Sequence, residues 1–246
     1  MNQAKDHYGY RVYADPNVAQ SFDTDRFGGK IGEYVKETQE RLLFSILPDV
    51  KGRHIVDVGA GTGRITIPLI ERGASVTACD ASRQMLDVLA TKIRSDRLVI
   101  QQGEAQTLQF PDRSFDCAIS LRMLMHVVNW QKSLSELCRV SRDWVVVDFP
   151  PRRGFLLMAP LVHRIRKSFK SDYQPYATIP MSEIRDVMHK SRYDIVHVDP
   201  GFFLPISVHR LMRNLTLTRL SEKIFQVLGL TYLVGAPITV FARRKK

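Results

Sequence analysis

The sequence has no uninterrupted apolar run long enough to cross a bilayer, because its longest apolar stretches, around residues 155–162 and 228–242, are short or broken by proline or glycine. Its first fifteen residues are polar and lack the apolar core of a signal peptide. Only three cysteines are present, and their spacing fits neither a disulfide framework nor a metal site. We therefore expect a cytoplasmic protein with buried, reduced thiols and no metal ion.

Acidic residues are scarce in the last third of the chain. Residues 1–150 hold 19 Lys and Arg against 19 Asp and Glu, whereas residues 151–246 hold 17 against 6, so the whole net charge of +11 falls in the second stretch. A segregated basic region suggests an anionic partner, and the charge alone leaves open a phosphate-bearing substrate, a nucleic acid or a membrane surface. The alternative is a solvated surface whose charge only maintains solubility.

The chain is organised around residues 54–64, which begin with a β-branched run and contain three glycines at every second position. The run predicts a buried parallel strand, and a helical pattern follows at residues 65–72. Glycines between a strand and a helix let the backbone approach a nucleotide-like ligand at the helix N-terminus. A dinucleotide fingerprint would need glycine where Arg64 stands, so the spacing argues against a nicotinamide cofactor. A strand-to-helix turn without a ligand is the alternative.

Asp57 lies inside the end of this strand, and the resulting Asp-x-Gly-x-Gly-x-Gly pattern resembles motif I of the class I S-adenosylmethionine (SAM) methyltransferases. The resemblance implies SAM as the cofactor, S-adenosylhomocysteine (SAH) as the product, and a position for Asp57 near the amino-acid end of SAM. It covers residues 50–150 closely and the remainder loosely. Four residues of the turn are expected at the cofactor: Gly59, Ala60, Gly61 and Gly63.

A second acid, Asp80, ends the next predicted strand, 17 residues after Gly63. An acid at this position can accept hydrogen bonds from both ribose hydroxyls, although it can also be a helix N-terminal charge. The sequence Asp80-x-Ser82-x-x-Met85 is similar to a signature of the family. This similarity implies that Met85 packs near the adenine and that Ala81 lies beside the cofactor.

Two later segments also resemble the family. Gly103-Glu104-Ala105 follows the third strand and is similar to a Gly-Asp-Ala sequence, in which the acid accepts from the adenine amino group and the next backbone N–H meets the ring. Here the acid is Glu104, with a longer side chain than the commoner Asp. Residues 121–127 follow the fourth strand and border the methyl-transfer face in the family, so Leu121 is expected at the cofactor.

His126 lies in the same segment, and a histidine here resembles the small-molecule branch that includes the quinone-biosynthesis methyltransferases. An imidazole titrates near neutrality, so His126 can accept a proton from a hydroxyl as the methyl group arrives. The alternative is a histidine that only packs against or caps a helix. Four further residues are expected at the substrate or in a lid: Arg11, Tyr13, His163 and His209.

Helical and strand patterns alternate and predict an α/β fold with a doubly wound, seven-stranded and mostly parallel sheet. The resemblance implies a Rossmann-like methyltransferase fold with an antiparallel last strand. The predicted strands are residues 55–58, 75–79, 98–101, 117–120, 144–149, 193–198 and 238–242. We expect a single domain, 1–246, made of an N-terminal lid and helix (1–48), a SAM-binding core (50–150) and a substrate-side region (151–246).

Roughly 35 residues separate the last two predicted strands, which is long for a hairpin connection. This insertion, about 202–235, contains an amphipathic helical pattern at residues 210–228 with basic residues beside it. It is expected to be a substrate lid, to lie on an anionic membrane surface, or to be an extra helix packed on the fold.

We therefore expect a SAM-dependent methyltransferase acting on oxygen or carbon of a small or lipid-like, anionic acceptor, with peripheral membrane contact. Nitrogen is less favoured because the chain lacks the Asn-Pro-Pro-Tyr type motif of many N-methylating enzymes. Two alternatives stay open. One is an RNA or protein methyltransferase that docks through the basic last third, although no separate nucleic-acid-binding module is visible. The other is a non-catalytic SAM-binding partner subunit.

Overall fold

A central sheet of seven strands organises the protein, whose computed structural model describes residues 8–47, 49–154 and 176–245. The strand order is β3-β2-β1-β4-β5-β7-β6. Strands β1 to β5 are parallel to one another, whereas β7 pairs antiparallel with both β5 and β6. This confirms the predicted fold class. The strands are β1 His54–Val58, β2 Ser75–Asp80, β3 Leu98–Gln102, β4 Phe115–Ser120, β5 Ser141–Phe149, β6 Tyr193–Asp199 and β7 Ile238–Arg244.

Helices cover both faces of the sheet because its inner strands are apolar on both sides. On one face Val145 and Val147 pack with α6 and α7, and on the other Val146 packs with α3 and α4. This alternation follows from the two-residue period of a strand. The helices are α1 Tyr8–Tyr13, α2 Pro16–Phe27, α3 Gly29–Ile46, α4 Thr66–Glu71, α5 Arg83–Lys92, α6 Trp130–Val140, α7 Met181–Lys190, α8 Ile206–Met212, α9 Leu215–Val227 and α10 Leu230–Val234.

The N-terminal region contains more helix than expected. A helix was predicted only at residues 31–47, but α1 and α2 precede it. The signal for α2 is Asp15-Pro16, because Asp15 caps the helix by accepting from the Asn17 N–H at 2.8 Å and Pro16 occupies the first helical position.

The last strand is longer than predicted, because β7 includes Arg243 and Arg244, whereas the predicted strand ended at residue 242. Arg243 forms an ion pair with Asp143 at 2.9 Å, and Arg244 donates to the carbonyls of Cys138 and Ser141. Part of the basic surplus of the last third is therefore used within the fold.

The insertion between β6 and β7 is three short helices, α8 to α10, instead of one amphipathic helix. The pattern breaks at Arg213, which has φ of 50°, and at Asn214, whose side chain caps α9 by accepting from the Leu217 N–H at 3.0 Å. No helix within the described ranges is both long and apolar enough to cross a membrane.

Candidate active site

A cavity of about 360 Å³ opens at the carboxyl ends of β1, β2 and β4. Its position is where the strand order reverses between β1 and β4, which is the usual ligand site of doubly wound sheets. Residues of the turn after β1, the loops after β2 and β4, helices α1 and α2, and helix α8 line it. The volume falls within the range of small-molecule sites.

The glycine turn after β1 forms the floor of this cavity. The backbone N–H groups of Gly59 and Ala60 both donate to the Cys79 carbonyl, at 2.8 and 3.2 Å, which ties the turn to β2. Gly59 has φ of 76°, and a Cβ there would lie 2.7 Å from Met123. At Gly61 a Cβ would meet nothing within 4 Å, so this position is open to a ligand.

Gly63 has a different environment from the other two glycines. It does not line the cavity, and a Cβ at this position would lie 2.3 Å from Leu89 of α5. Its φ of 90° and the close approach of Leu89 explain why glycine is needed. The residue therefore allows the turn to pack on a helix and is not brought to the ligand space.

Asp57 contributes a buried carboxylate to the cavity wall, with only 2% of the residue exposed. The Thr66 hydroxyl donates to it at 2.7 Å. Burial raises the pKa of Asp57 to about 6, and the Thr66 hydrogen bond opposes this rise without overcoming it. A carboxylate in this state favours a cationic partner, because a neighbouring positive charge would offset its lost hydration.

Asp80 ends β2 with both carboxylate oxygens held by the backbone. The Gly61 N–H donates to one oxygen and the Ser82 N–H to the other, each at 2.8 Å. Burial raises the pKa of Asp80, and these hydrogen bonds act against the rise. Both oxygens keep lone pairs that are available to a further donor pair, and Asp80 lines the cavity.

The cavity wall after β2 and β3 contains three more of the expected residues, Ala81, Met85 and Ala105. Glu104 is not part of this lining. Its carboxylate accepts a hydrogen bond from the Tyr10 hydroxyl, and burial together with this partner raises the pKa of Tyr10. The structure therefore places a tyrosine of α1 at the carboxylate that the sequence assigned to the adenine amino group.

Helices α1 and α2 cover the cavity, and hydrogen bonds join them to the loop after β2 and to the turn after β1. The Ser82 hydroxyl donates to the Tyr13 carbonyl at 2.5 Å, and the Thr62 hydroxyl donates to Asp23 of α2 at 2.7 Å. Tyr13 lines the cavity, as expected of a lid residue, whereas Arg11 is exposed and does not.

His126 lies in a short 3₁₀ turn, Leu124–His126, and lines the cavity. Its ring meets the ring of Tyr13 edge to face, with 6.0 Å between centroids. Leu121, which is nearly buried, lines the cavity beside it. The site thus places an imidazole and a phenol next to each other at the cavity, and the sequence alone did not predict that these two rings meet.

Four arginines that sequence reasoning did not assign also line the cavity: Arg26, Arg64, Arg122 and Arg210. Burial lowers the pKa of Arg64 to about 10, and the positive charge of Arg122 adds to this effect. The Arg64 guanidinium lies 4.8 Å from the centroid of the Phe27 ring. These residues come from four distant parts of the chain, so no local pattern could have grouped them.

His209 is not at the cavity, which corrects its assignment to the substrate. The residue is fully buried, and its Nε2 lies 2.8 Å from Oε1 of Glu222. Glu222 also accepts from the N–H groups of Phe203 and Leu204, at 2.8 and 3.0 Å. His209 therefore joins α8 to α9 within the insertion. The remaining candidate, His163, lies outside the described residues.

Comparison with known proteins gives a match to a methyltransferase domain over residues 56–144. The demethylmenaquinone methyltransferase of Tropheryma whipplei strain Twist is 28% identical over 216 residues, which is 80% of this chain and 89% of the relative. That of Clavibacter sepedonicus is 35% identical over 139 residues, which is 51% of this chain and 57% of the relative.

Solved structures share the fold at low sequence identity. A SAM-dependent methyltransferase from Thermotoga maritima, described as a possible histamine N-methyltransferase, has a TM-score of 0.64 and 19% identity, and the match covers 93% of this chain and 98% of that one. Magnesium protoporphyrin IX methyltransferase from Synechocystis PCC 6803 with bound SAH has a TM-score of 0.61 and 16% identity, with coverage of 97% and 93%.

Proposed function

We propose an acceptor class for this chain, which by its matched domain, relatives and fold is a class I SAM-dependent methyltransferase. The acceptor is a small, lipid-like molecule with an anionic group, and it is methylated on oxygen or carbon. The observation that carries this proposal is the presence of four arginines in the lining of an otherwise largely apolar cavity.

The residues at the floor of the cavity fit SAM. Asp80 offers two acceptor oxygens to the ribose hydroxyls, and Gly61 leaves open space beside it. Asp57 is a buried acid suited to the positively charged amino-acid end. Met85 and Ala105 supply apolar surface for the adenine. When bound, SAM supplies a methyl group already activated by the sulfonium charge, so the chain contributes alignment and exclusion of water.

The acceptor would occupy the side of the cavity lined by Phe22, Phe27, Val127 and Ile206. These side chains favour an apolar body. Four guanidinium groups in one cavity favour an anion, and a negative partner would also offset the burial and the Arg122 charge that disfavour the charged form of Arg64. The demethylmenaquinone methyltransferase relatives are in keeping with an apolar acceptor.

His126 is proposed to remove the acceptor proton. Its ring lines the cavity next to the ring of Tyr13. If a hydroxyl oxygen accepts the methyl group, the imidazole would take the O–H proton, and the positive charge lost from the sulfonium would reappear on the imidazolium. If a carbon accepts the methyl group, the imidazole would take the proton from that carbon after the new C–C bond has formed.

The test uses labelled SAM and pairs of phenols that share an apolar tail and differ in one carboxylate. The expected result is methylation of both members, with a KM about tenfold or more lower for the anionic one, which is the gain of one charge-assisted arginine contact. Arg26→Gln should remove the preference, and the exposed Arg142→Gln is the matched control.

Equal KM values within every pair would contradict an anionic acceptor. The same labelled SAM should also be offered to lipid, small-molecule and RNA fractions of a cell extract. Labelling confined to RNA would replace the proposed acceptor with the nucleic-acid alternative.

A further inference from the structure

Helix α9 is amphipathic in the opposite sense from an ordinary surface helix. Its buried residues are polar, Thr218 and Glu222, whereas the opposite face carries Leu217, Leu220 and Ile224, which are 48%, 54% and 47% exposed. These three lie at helical spacing and form one stripe. The inversion follows from Glu222, whose carboxylate must face inward to accept from two backbone N–H groups and to meet His209.

The exposed apolar surface continues past the end of α9. Val227 and Leu228 are 77% and 64% exposed, and Tyr232 and Leu233 of α10 are 61% and 65% exposed. So many large apolar side chains in one surface region are unusual on a monomeric protein and indicate a partner. We call the residues from 217 to 233 that carry this surface the apolar ridge.

The exposed charges beside the apolar ridge are positive. Residues 202–234 hold four Lys and Arg and a single acid, Glu222, which is buried. Arg213 and Lys223 are exposed next to the ridge. Aliphatic side chains with basic residues at their border match an anionic lipid surface, where the apolar face enters the headgroup boundary and the cations meet phosphate.

The apolar ridge is also connected to the cavity. Helix α8 precedes α9 and contributes Ile206, Ser207 and Arg210 to the cavity lining. The His209–Glu222 contact fixes α8 to α9, so a surface bound by α9 would hold the cavity wall beside it.

We propose that the apolar ridge binds the surface of an anionic membrane and places the cavity beside the bilayer. Membrane binding would deliver a lipid-like acceptor to the cavity, and this use of the ridge rests on the proposed function. Membrane binding itself does not depend on the proposed function. Arg213 and Lys223 meet lipid phosphates, and Leu220 and Ile224 enter the headgroup region.

Cosedimentation of the full chain with vesicles tests the proposal. Binding is expected to vesicles of phosphatidylcholine with phosphatidylglycerol, and not to phosphatidylcholine alone at physiological salt. Leu220→Ser with Ile224→Ser should weaken binding about tenfold or more through the lost apolar area. Arg213→Glu with Lys223→Glu should weaken it at least as much and remove its salt dependence. The control is Val99→Ser with Val196→Ser, which removes two equally exposed aliphatic side chains from β3 and β6.

Three outcomes would overturn the proposal. The native chain could ignore anionic vesicles at low salt. The native chain could self-associate in sedimentation equilibrium while the variant with Leu220→Ser and Ile224→Ser stays monomeric. That result would make the ridge an interface between two copies of the chain. The variant could lose thermal stability as a core substitution does, which would show that the chain itself covers the ridge. Methyl transfer to a water-soluble acceptor, unchanged in this variant, separates failure of membrane binding from failure of the proposed function.

Discussion

The role of Asp80 is open to a sharp test because its carboxylate is fixed before any ligand arrives. Each oxygen is held by one backbone N–H at 2.8 Å, from Gly61 and from Ser82. The carboxylate is therefore pre-oriented, and binding would not have to order it. If it accepts from both ribose hydroxyls, SAM should bind with a Kd on the order of 1 µM, which corresponds to about −8 kcal/mol.

Asp80→Ala removes both acceptors. A hydrogen bond to a charged group contributes about 1.5–3 kcal/mol, so losing two should weaken SAM binding by about 10²- to 10⁴-fold. Asp80→Asn keeps one carbonyl oxygen and should lose roughly half of that free energy. The binding of SAH should weaken by a similar factor, because SAH has the same ribose.

Calorimetric titration with SAM and SAH measures these losses. The control is Asp87→Ala, an exposed acid on α5 that pairs with Arg83. Thermal unfolding of Asp80→Ala must be recorded as well, because the Gly61 and Ser82 N–H groups lose their acceptor. A folded Asp80→Ala protein that binds SAM within threefold of the native chain would refute the ribose assignment.

Four further predictions concern the chemistry, the cofactor affinity and the stability of the site. His126→Ala should lower kcat while SAM affinity stays nearly intact, and a variant as active as the native chain would leave the residue a packing role. Burial raises the folded-state pKa of Asp57 to about 6, so the contribution of Asp57 to stability is greatest below about pH 4 and is lost as the pH rises to 6. This loss is up to about 3 kcal/mol, and Asp57→Asn should cancel it in denaturant titrations at each pH. A variant whose stability changes with pH as the native chain does would contradict this. Native SAM affinity should increase through the same interval, because the ionised carboxylate is the form that meets the cationic end, and Asp57→Asn should flatten that increase. Glu222→Ala leaves two partly buried N–H groups and the buried His209 without their acceptor, so it should lower the free energy of unfolding by about 3–5 kcal/mol, and a loss below about 1 kcal/mol would mean that water replaces the carboxylate.

The sheet was predictable because its strands are short, mostly apolar runs, and the inner strands need burial on both faces. Parallel strands place their carboxyl ends on one edge, so Asp57 and Asp80, which both lie at strand ends, had to approach the glycine turn. The distance from Gly63 to Asp80 is set by one helix and one strand. Local sequence was sufficient here because the contacts lie between successive elements.

Contacts between distant elements were not predictable in the same way. Arg26, Arg64, Arg122 and Arg210 meet only because α2 and α8 close over the same edge of the sheet. The periodicity of α9 showed an apolar stripe but could not show its direction, because the direction depends on where Glu222 finds its backbone donors. Tyr10 reached Glu104 through α1, a helix that the sequence pattern had not revealed.

The charges of the cavity lining fit a cationic cofactor and an anionic acceptor. Asp57 and Asp80 line the cavity at the ends of β1 and β2, and burial raises the pKa of both. Arg64 lies in the turn after β1, where burial lowers its pKa to about 10 while the negative charge of Asp57 acts against this fall. Arg26 and Arg210 are exposed residues of α2 and α8, the helices that cover the cavity. Each pKa shift means that burial disfavours the charged form, and a ligand of opposite charge would offset it. SAM carries its positive charge at the sulfonium and the amino group, which suits the two acids, and an anionic acceptor suits the arginines of α2 and α8. Opposite charges on the two substrates would then favour one orientation of the pair, and we expect it to direct the methyl group toward His126.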